Sequence, residues 1–422
     1  MSTEKELPFY MDPAFLRGMT QKRISRRAAL QGAGYASLAA ALAACGIGSK
    51  QPAAHTNWVW DKATQQGVLD FANWEYYIDN VEKGGKTTYP TLEQFTKETG
   101  IKVNYSEPIL GNESFFAKAA PLLQQGSPIG FDIIVVTNGT TLTNYIAKNW
   151  LTELDSSKLP NFTKYAAPRV QARAFDPGNK FTIPWQSGFT GIGYNPKLTG
   201  REITSFADLF DPKFAGKVGM FDNNQDTGNL ALVGLGIKPD TSTPKDWQKA
   251  ADKLKQQRDA NIVRKYYDQS YIDALSKGDT YLSMAWSGDI FQANLSAGNE
   301  NLKFVIPSEG GLIWTDNMCI PLNAPHPLDA ITYMNWVYQP EIAATMAEYI
   351  EYITPVPSAK QAIEAHAAAA TNKDDKAALL QAAESPLIFP SAEVLAKTSY
   401  YRVLTPSETT QWNDIFNAVI LA

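Results

Sequence analysis

Asp132-Ile133-Ile134-Val135-Val136 is an unbroken β-branched run behind a single acid, and its reading decides the fold class. A strand with one wet face alternates apolar and polar residues. A strand covered on both faces, as in a parallel sheet, reads instead as a continuous apolar stretch. Upstream, Val68-Leu69-Asp70-Phe71-Ala72 reads as an earlier strand, and Ile101, Val103 and Tyr105 alternate as a further strand should. Between these two, Thr91-Leu92-Glu93-Gln94 has capping-box spacing, Leu92 and Phe95 supply an apolar face, and Gly100 stops the helix. Downstream, Gly191–Tyr194, Lys217–Phe221, Tyr281–Trp286 and Lys303–Ile306 are strand candidates, and Asp246–Gln257 is helical. Strands alternating with helices predict α/β layering. Residues 361–384, rich in alanine and carrying Lys373-Asp374-Asp375-Lys376, read as exposed helix and loop.

At 422 residues the chain is too long for one ordinary domain and suits two. With 44% apolar and 19% charged residues it can bury a large core. The formal net charge is −5, and a phosphate-binding surface needs clustered Lys and Arg, so no nucleic-acid partner is expected.

The N-terminus reads as an export segment. Lys22, Arg23, Arg26 and Arg27 form a basic cluster, followed by a small-residue apolar run from Ala33 to Ala44 and then Cys45. That run is too short to span a bilayer as a helix, which takes about 20 residues, so it is a signal h-region. Ser25-Arg26-Arg27-Ala28-Ala29-Leu30 resembles a twin-arginine signal without the usual bulky aromatic, and Leu42-Ala43-Ala44-Cys45 resembles a bacterial lipobox. The expectation is a signal peptide over 1–44, lipid attachment at Cys45 and a tether over 45–56. Only Cys319 then remains, in the apolar run Met318-Cys319-Ile320, as an inert buried thiol.

Parts for catalysis are missing. His55, His326 and His366 are far apart, none sits in a metal-ligand pattern, and each reads as plain surface. G-x-S-x-G, Walker A and C-x-x-C motifs are absent from the sequence. No cofactor, metal or enzymatic activity is expected. What stands out is aromatic residues interleaved with carboxylates beside strand ends: Asn73-Trp74-Glu75-Tyr76-Tyr77, Asp222-Asn223-Asn224-Gln225-Asp226, Ala285-Trp286-Ser287-Gly288-Asp289 and Gly310-Gly311-Leu312-Ile313-Trp314-Thr315-Asp316. An organic ammonium leaving water needs a carboxylate for charge-assisted hydrogen bonds and π-faces to cover its methylenes. Sugar rings stacking on aromatic faces use the same residues.

Over about Leu69 to Pro357 the chain resembles the spermidine/putrescine-binding proteins of bacterial ABC importers. The resemblance is carried by Asn73-Trp74 with Tyr77, Leu92 to Val103, Asp132 to Val136, Phe175-Asp176-Pro177 through Ile183-Pro184, Ser205 to Pro212, Glu309 to Asp316 and Tyr352-Ile353-Thr354-Pro355. It implies a two-lobed, periplasmic-binding-protein-like α/β fold with crossing hinge strands and the ligand in an inter-lobe cleft. Lobe 1 is expected over 57–188 plus 315–360, and lobe 2 over 189–314 plus 361–422. The family's aromatic box falls on Trp74, Tyr77, Trp286, Trp314 and Tyr352, its amine-gripping acid on Asp316, and a second acid on Asp226. Three positions depart. A further pocket acid falls on Asn223, a pocket Tyr falls near Gly139-Thr140, and an acid after the first Trp falls on Tyr76, with Glu75 beside it as a substitute. Arg402 is expected to approach the cleft, where it would oppose a cation. The implied ligand is a small polyamine-like cation, delivered to separate permease and ATPase subunits at the outer face of the cytoplasmic membrane or in the periplasm. A zwitterionic amine or sugar-like solute, or a surface enzyme or adhesin on the same fold, are the alternatives.

Overall fold

The β-branched run becomes strand β5 (Ile133–Thr137), with Ile133 to Val136 all buried, in a computed structural model that describes residues 60–421 apart from 61–62, 84–85, 172 and 298–300. The export segment, Cys45, the tether and His55 lie outside the described residues. The other strands are β1 (Val68–Trp74), β2 (Val81–Lys83), β3 (Lys86–Thr88), β4 (Lys102–Ile109), β6 (Thr182–Tyr194), β7 (Val218–Phe221), β8 (Val263–Tyr267), β9 (Leu282–Trp286), β10 (Lys303–Val305), β11 (Gly311–Cys319) and β12 (Thr398–Ser399). β2 and β3 form a separate hairpin, and the rest make one sheet in the order β4-β1-β5-β11-β6-β9-β7-β8. β10 pairs with β6, and β12 with β11.

The sheet has two parallel wings. β4, β1 and β5 run parallel on one side, and β9, β7 and β8 on the other. Between them lie the antiparallel strands β6 and β11, longer than the rest and buried along their whole length. β11 changes neighbours halfway. Leu312 to Cys319 pair with β6, only Asp316 to Cys319 also pair with β5, and Gly311 and Leu312 pair with β12. A register irregularity falls between Asp316 and Asn317. The two long strands therefore pass from one wing to the other, and Asp316 stands where they do so.

Three local readings change. Helix Pro90–Thr99 starts one residue before the expected box, with Tyr89 as N-cap and Pro90 in its first position. The Thr91 amide donates to buried Asp79 Oδ2 (2.8 Å), so an acid from a neighbouring loop does the capping. Gly100 ends the helix in the left-handed region, as expected. Residues 361–384 form two helices that each bury a face. Ala359–Ala369 packs on Pro340–Ile350 through Ala362, Ile363 and Ala367, and Lys373–Glu384 covers it with Leu379, Ala382 and Ala383. Alanine faces pack closely without large side chains, which hides them from a reading that looks for bulk. Helix Pro340–Ile350 in turn packs on Pro90–Thr99, so residues 361–384 sit with the β1 wing, whereas the expectation assigns 361–422 to the other. The chain returns to the β9 wing at β12 and ends in helix Pro406–Ile420, packed on helices Asn224–Gly234 and Pro244–Asp259.

Candidate functional site

The crossing of β6 and β11 positions the site. Asp316 is buried, and each of its oxygens accepts one hydroxyl: Tyr77 donates to Oδ2 (2.7 Å) and Thr137, at the end of β5, to Oδ1 (2.6 Å). Burial pushes its carboxyl up to about 6 against these two bonds, and the negative charge of Asp226 adds to the rise. Asp226 lies in the first turn of helix Asn224–Gly234 and is also buried. Thr190 of β6 and Tyr401 both donate to its Oδ1, each at 2.6 Å. Burial raises its pKa, opposed by hydrogen bonds from Thr190, Tyr401, Asn223 and Trp286. The phenols of Tyr77 and Tyr401 are driven well above their ordinary values, chiefly by burial, so they remain donors. Among the described residues no ion pair joins a Lys, Arg or His to either carboxylate, and burial leads the causes that raise both.

The rings tie the two acids together. Tyr77 meets Tyr352 edge-on at 5.8 Å, and Tyr352 lies 5.4 Å from Trp314. The indole N–H of Trp314 donates to Thr190 Oγ1 (3.2 Å), the same hydroxyl that serves Asp226. Gly188 on β6 makes room for this group, because a Cβ there would come within 2.4 Å of the Trp314 ring and 2.8 Å of Tyr352. Trp286 closes the far side, 4.6 Å from Phe221 and 6.0 Å from Tyr271. Tyr271 and Tyr352 both donate to Asp289, at 2.9 and 3.0 Å.

Tyr77, Asp226, Trp286, Trp314, Asp316 and Tyr352 are thus brought together around the crossing. Others of the expected set are placed differently. Trp74 is half-buried at the end of β1 and gives its indole N–H to Val135 O (3.1 Å). Glu75 faces Glu107, whose carboxyl is pushed up to about 7 by burial first and by Glu75 second. Asn223 is the N-cap of the Asp226 helix and accepts the Asp226 amide at 2.7 Å, so its oxygen is committed to the helix start. Arg402 is turned away from the site. It pairs with Glu408 (2.7 Å) and donates to Asp240 O (2.7 Å), and the neighbouring Tyr401 is the residue that reaches Asp226.

Thr137, Thr190, Tyr271 and Tyr401 join the site without having been singled out, and Asp289, quoted only within its cluster, joins it too. Trp286-x-x-Asp289 was readable, since a strand end running into a helix start keeps both near one point. The hydroxyls were not, because Thr and Tyr in or beside strands have no distinguishing pattern. The two described histidines are not plain surface either. His326 Nδ1 faces Asp132 Oδ2 (2.8 Å), and His366 is held between Glu348 (2.7 Å) and Glu341 (3.2 Å). Asp70, Asp132 and His326 form the one group with metal-ligand chemistry among the described residues. Asp132 is already satisfied by the amides of Asp70 (2.8 Å) and His326 (2.7 Å), which makes this group a structural tie. Cys319 is buried, with its thiol pKa driven up.

A family model for bacterial extracellular solute-binding proteins matches residues 91–377. The spermidine/putrescine-binding periplasmic protein of Escherichia coli is 33% identical over 298 residues, 69% of this chain and 79% of that protein. Its counterpart in Salmonella typhimurium is 31% identical over 340 residues, 79% of this chain and 86% of that one. Among solved structures, the spermidine/putrescine ABC transporter substrate-binding protein PotD of Streptococcus pneumoniae aligns with a TM-score of 0.67 at 26% identity, covering 84% of this chain and 98% of its own.

Proposed function

The chain belongs to the bacterial extracellular solute-binding proteins, and from that premise we propose that it captures a polyamine or related organic amine between two lobes that close about β6 and β11. One observation carries this reading. Asp316 and Asp226 are both buried, and hydroxyls, an amide and an indole are what serve them. A buried carboxylate without a counter-charge costs several kcal/mol, roughly, after relaxation. A ligand ammonium at each acid removes that cost, and Trp314, Tyr352, Tyr77 and Trp286 offer faces to cover the methylenes between them. A neutral sugar would leave both charges uncompensated.

The remaining parts follow from the same reading. The solute is handed to separate permease and ATPase chains. Cys45 carries the lipid that holds the protein at the outer face of the membrane, after export directed by the basic cluster and apolar run. None of the described helices is long and apolar enough to cross a membrane, which accords with the channel being another chain. The protein binds and releases its solute unchanged. Calorimetric titration with putrescine, spermidine, a zwitterionic amino acid and a monosaccharide tests the ligand class. Binding of the amines supports the proposal. Binding of the sugar or amino acid alone sinks it.

A further inference from the structure

We propose that Gln225 is a positioning residue that fastens the two wings of the sheet directly, without any ligand. It stands beside Asp226 in the first turn of helix Asn224–Gly234, on the β7 side. Its side-chain amide reaches the loop that follows β5, on the other side. Gln225 Nε2 donates to Asn138 O (3.1 Å), and the Thr140 amide donates to Gln225 Oε1 (3.1 Å). The single side chain therefore makes two hydrogen bonds across the crossing.

The receiving loop is built for this contact. Helix Thr140–Ala147 has Gly139 as its N-cap, which has no side chain to accept from the first amides of the helix. Those amides are orphan donors wherever no cap is supplied. Here the acceptor comes from the opposite wing. Gly139 is required for a second reason. Its φ is +130°, and a Cβ there would stand 1.9 Å from Gln225 Oε1. The family's pocket tyrosine falls at about this position, and the space its ring would need is crossed by the glutamine amide. Asn138 is itself rigidly held. Its amide donates to Thr315 O (2.9 Å), and its Oδ1 accepts the Thr315 amide (2.7 Å). Thr315 lies between Trp314 and Asp316, so the fastening runs from the residue next to Asp226 to the residue next to Asp316.

This has a consequence for binding, and it rests on the reading of a cleft that closes over its ligand. A contact that favours the closed arrangement without touching the ligand raises the binding-competent fraction, and so tightens every ligand by one common factor. Two hydrogen bonds of ordinary net strength shift such an equilibrium by roughly 10-fold. Gln225 therefore sets the overall affinity and leaves the ranking of ligands to the acids and rings.

Hydrogen exchange of the ligand-free full chain tests the fastening itself. In the wild type the Thr140 amide should exchange slowly for a first-turn position. In Gln225→Ala it should exchange about 10-fold faster, with the β5 amides unchanged. Gln225→Glu, which keeps an acceptor for Thr140 and loses the donor to Asn138, should fall between the two. Equal Thr140 exchange in the wild type and Gln225→Ala overturns the proposal. Titration with putrescine and spermidine then tests the consequence: both should weaken by the same factor in Gln225→Ala, and a changed ratio between them contradicts the positioning role. Should neither amine bind the wild type, the exchange result still decides the fastening, and only the ligand assignment falls.

Discussion

Asp316 and Asp226 are the same functional group beside the same strand crossing, each buried and each served by two hydroxyls, yet the chain supports them differently. Asp316 takes one donor on each oxygen and sits on a strand at the point where β11 changes neighbours. Asp226 takes both hydroxyls on Oδ1, has Asn223 and Trp286 as further hydrogen-bond partners, and sits in the first turn of a helix whose cap is Asn223. The positive end of a helix favours a carboxylate in its first turn, whereas Asp316 lies within a strand. The protein thus neutralises part of the charge at Asp226 by itself and leaves more of it at Asp316 for the ligand. The ligand's contribution should be larger at the acid that the fold supports less.

Asp316→Asn is the sharpest way to break this comparison. Removing one partner of a buried charge pair costs about 2–5 kcal/mol of binding, so calorimetry on putrescine or spermidine should find a loss of more than an order of magnitude. Asp226→Asn should cost less. Equal losses would show that the helix terminus contributes nothing. The Asp316 carboxyl is held at about 6, above its usual 3.8, so its contribution to stability is present below 3.8 and is lost as pH rises through about 6. Without ligand at pH well above 6, Asp316→Asn should therefore melt higher than the wild type, even as it binds worse.

Next in size is Trp314→Ala. It removes a ring from between the two acids, along with its bond to Thr190, and should cost about 1–3 kcal/mol through lost cation–π attraction and apolar cover. A sugar ligand would lose as much here but less at Asp316, where its hydroxyls give up hydrogen bonds and no charge pair, so the two variants together separate the classes. Smaller again is the pH dependence. A cation binds the ionised acid, so affinity should be flat well above pH 6. Below that it should fall by about 10-fold per unit as the Asp316 proton must first leave. An affinity unchanged between pH 5 and pH 8 would remove Asp316 from the site. The smallest expected effect is that of Asn223→Asp. Aspartate also caps helices, so the helix start is kept while a charge is added beside Asp226. Spermidine and putrescine should tighten by several-fold, roughly a charged against a neutral acceptor, and a carboxylate-bearing ligand should weaken.

The same contrast explains what the sequence made legible. The parallel wings were readable because β-branched runs such as Ile133 to Val136 advertise burial on both faces. β11 was not readable as a strand, because Gly311-Leu312-Ile313-Trp314-Thr315-Asp316-Asn317-Met318-Cys319 mixes glycine, acid and amide, and those are the residues that build the site. Asp316, Trp314, Tyr77 and Trp286 stood out as aromatics interleaved with carboxylates, and the resemblance, not periodicity, gave them roles and added Tyr352. Asn223 was read as a pocket position, but its oxygen caps a helix, which requires knowing where the helix begins. Tyr401 was passed over for its charged neighbour Arg402, since a charge is conspicuous in a sequence and a side chain's direction is not. The acid-serving hydroxyls come from positions 77, 137, 190 and 401, and only the folded crossing brings these together.

The central claim is that buried negative charge, not shape alone, selects the ligand. Thermal unfolding of the wild type with putrescine, against the diol of the same chain length, tests it most directly, because the two differ at their ends and little elsewhere. A ligand that binds only the folded state raises its stability in proportion to the logarithm of concentration over Kd. Putrescine should raise the melting temperature in a concentration-dependent way and the diol should leave it unmoved. Equal shifts from both, or a shift from the diol alone, would contradict the account.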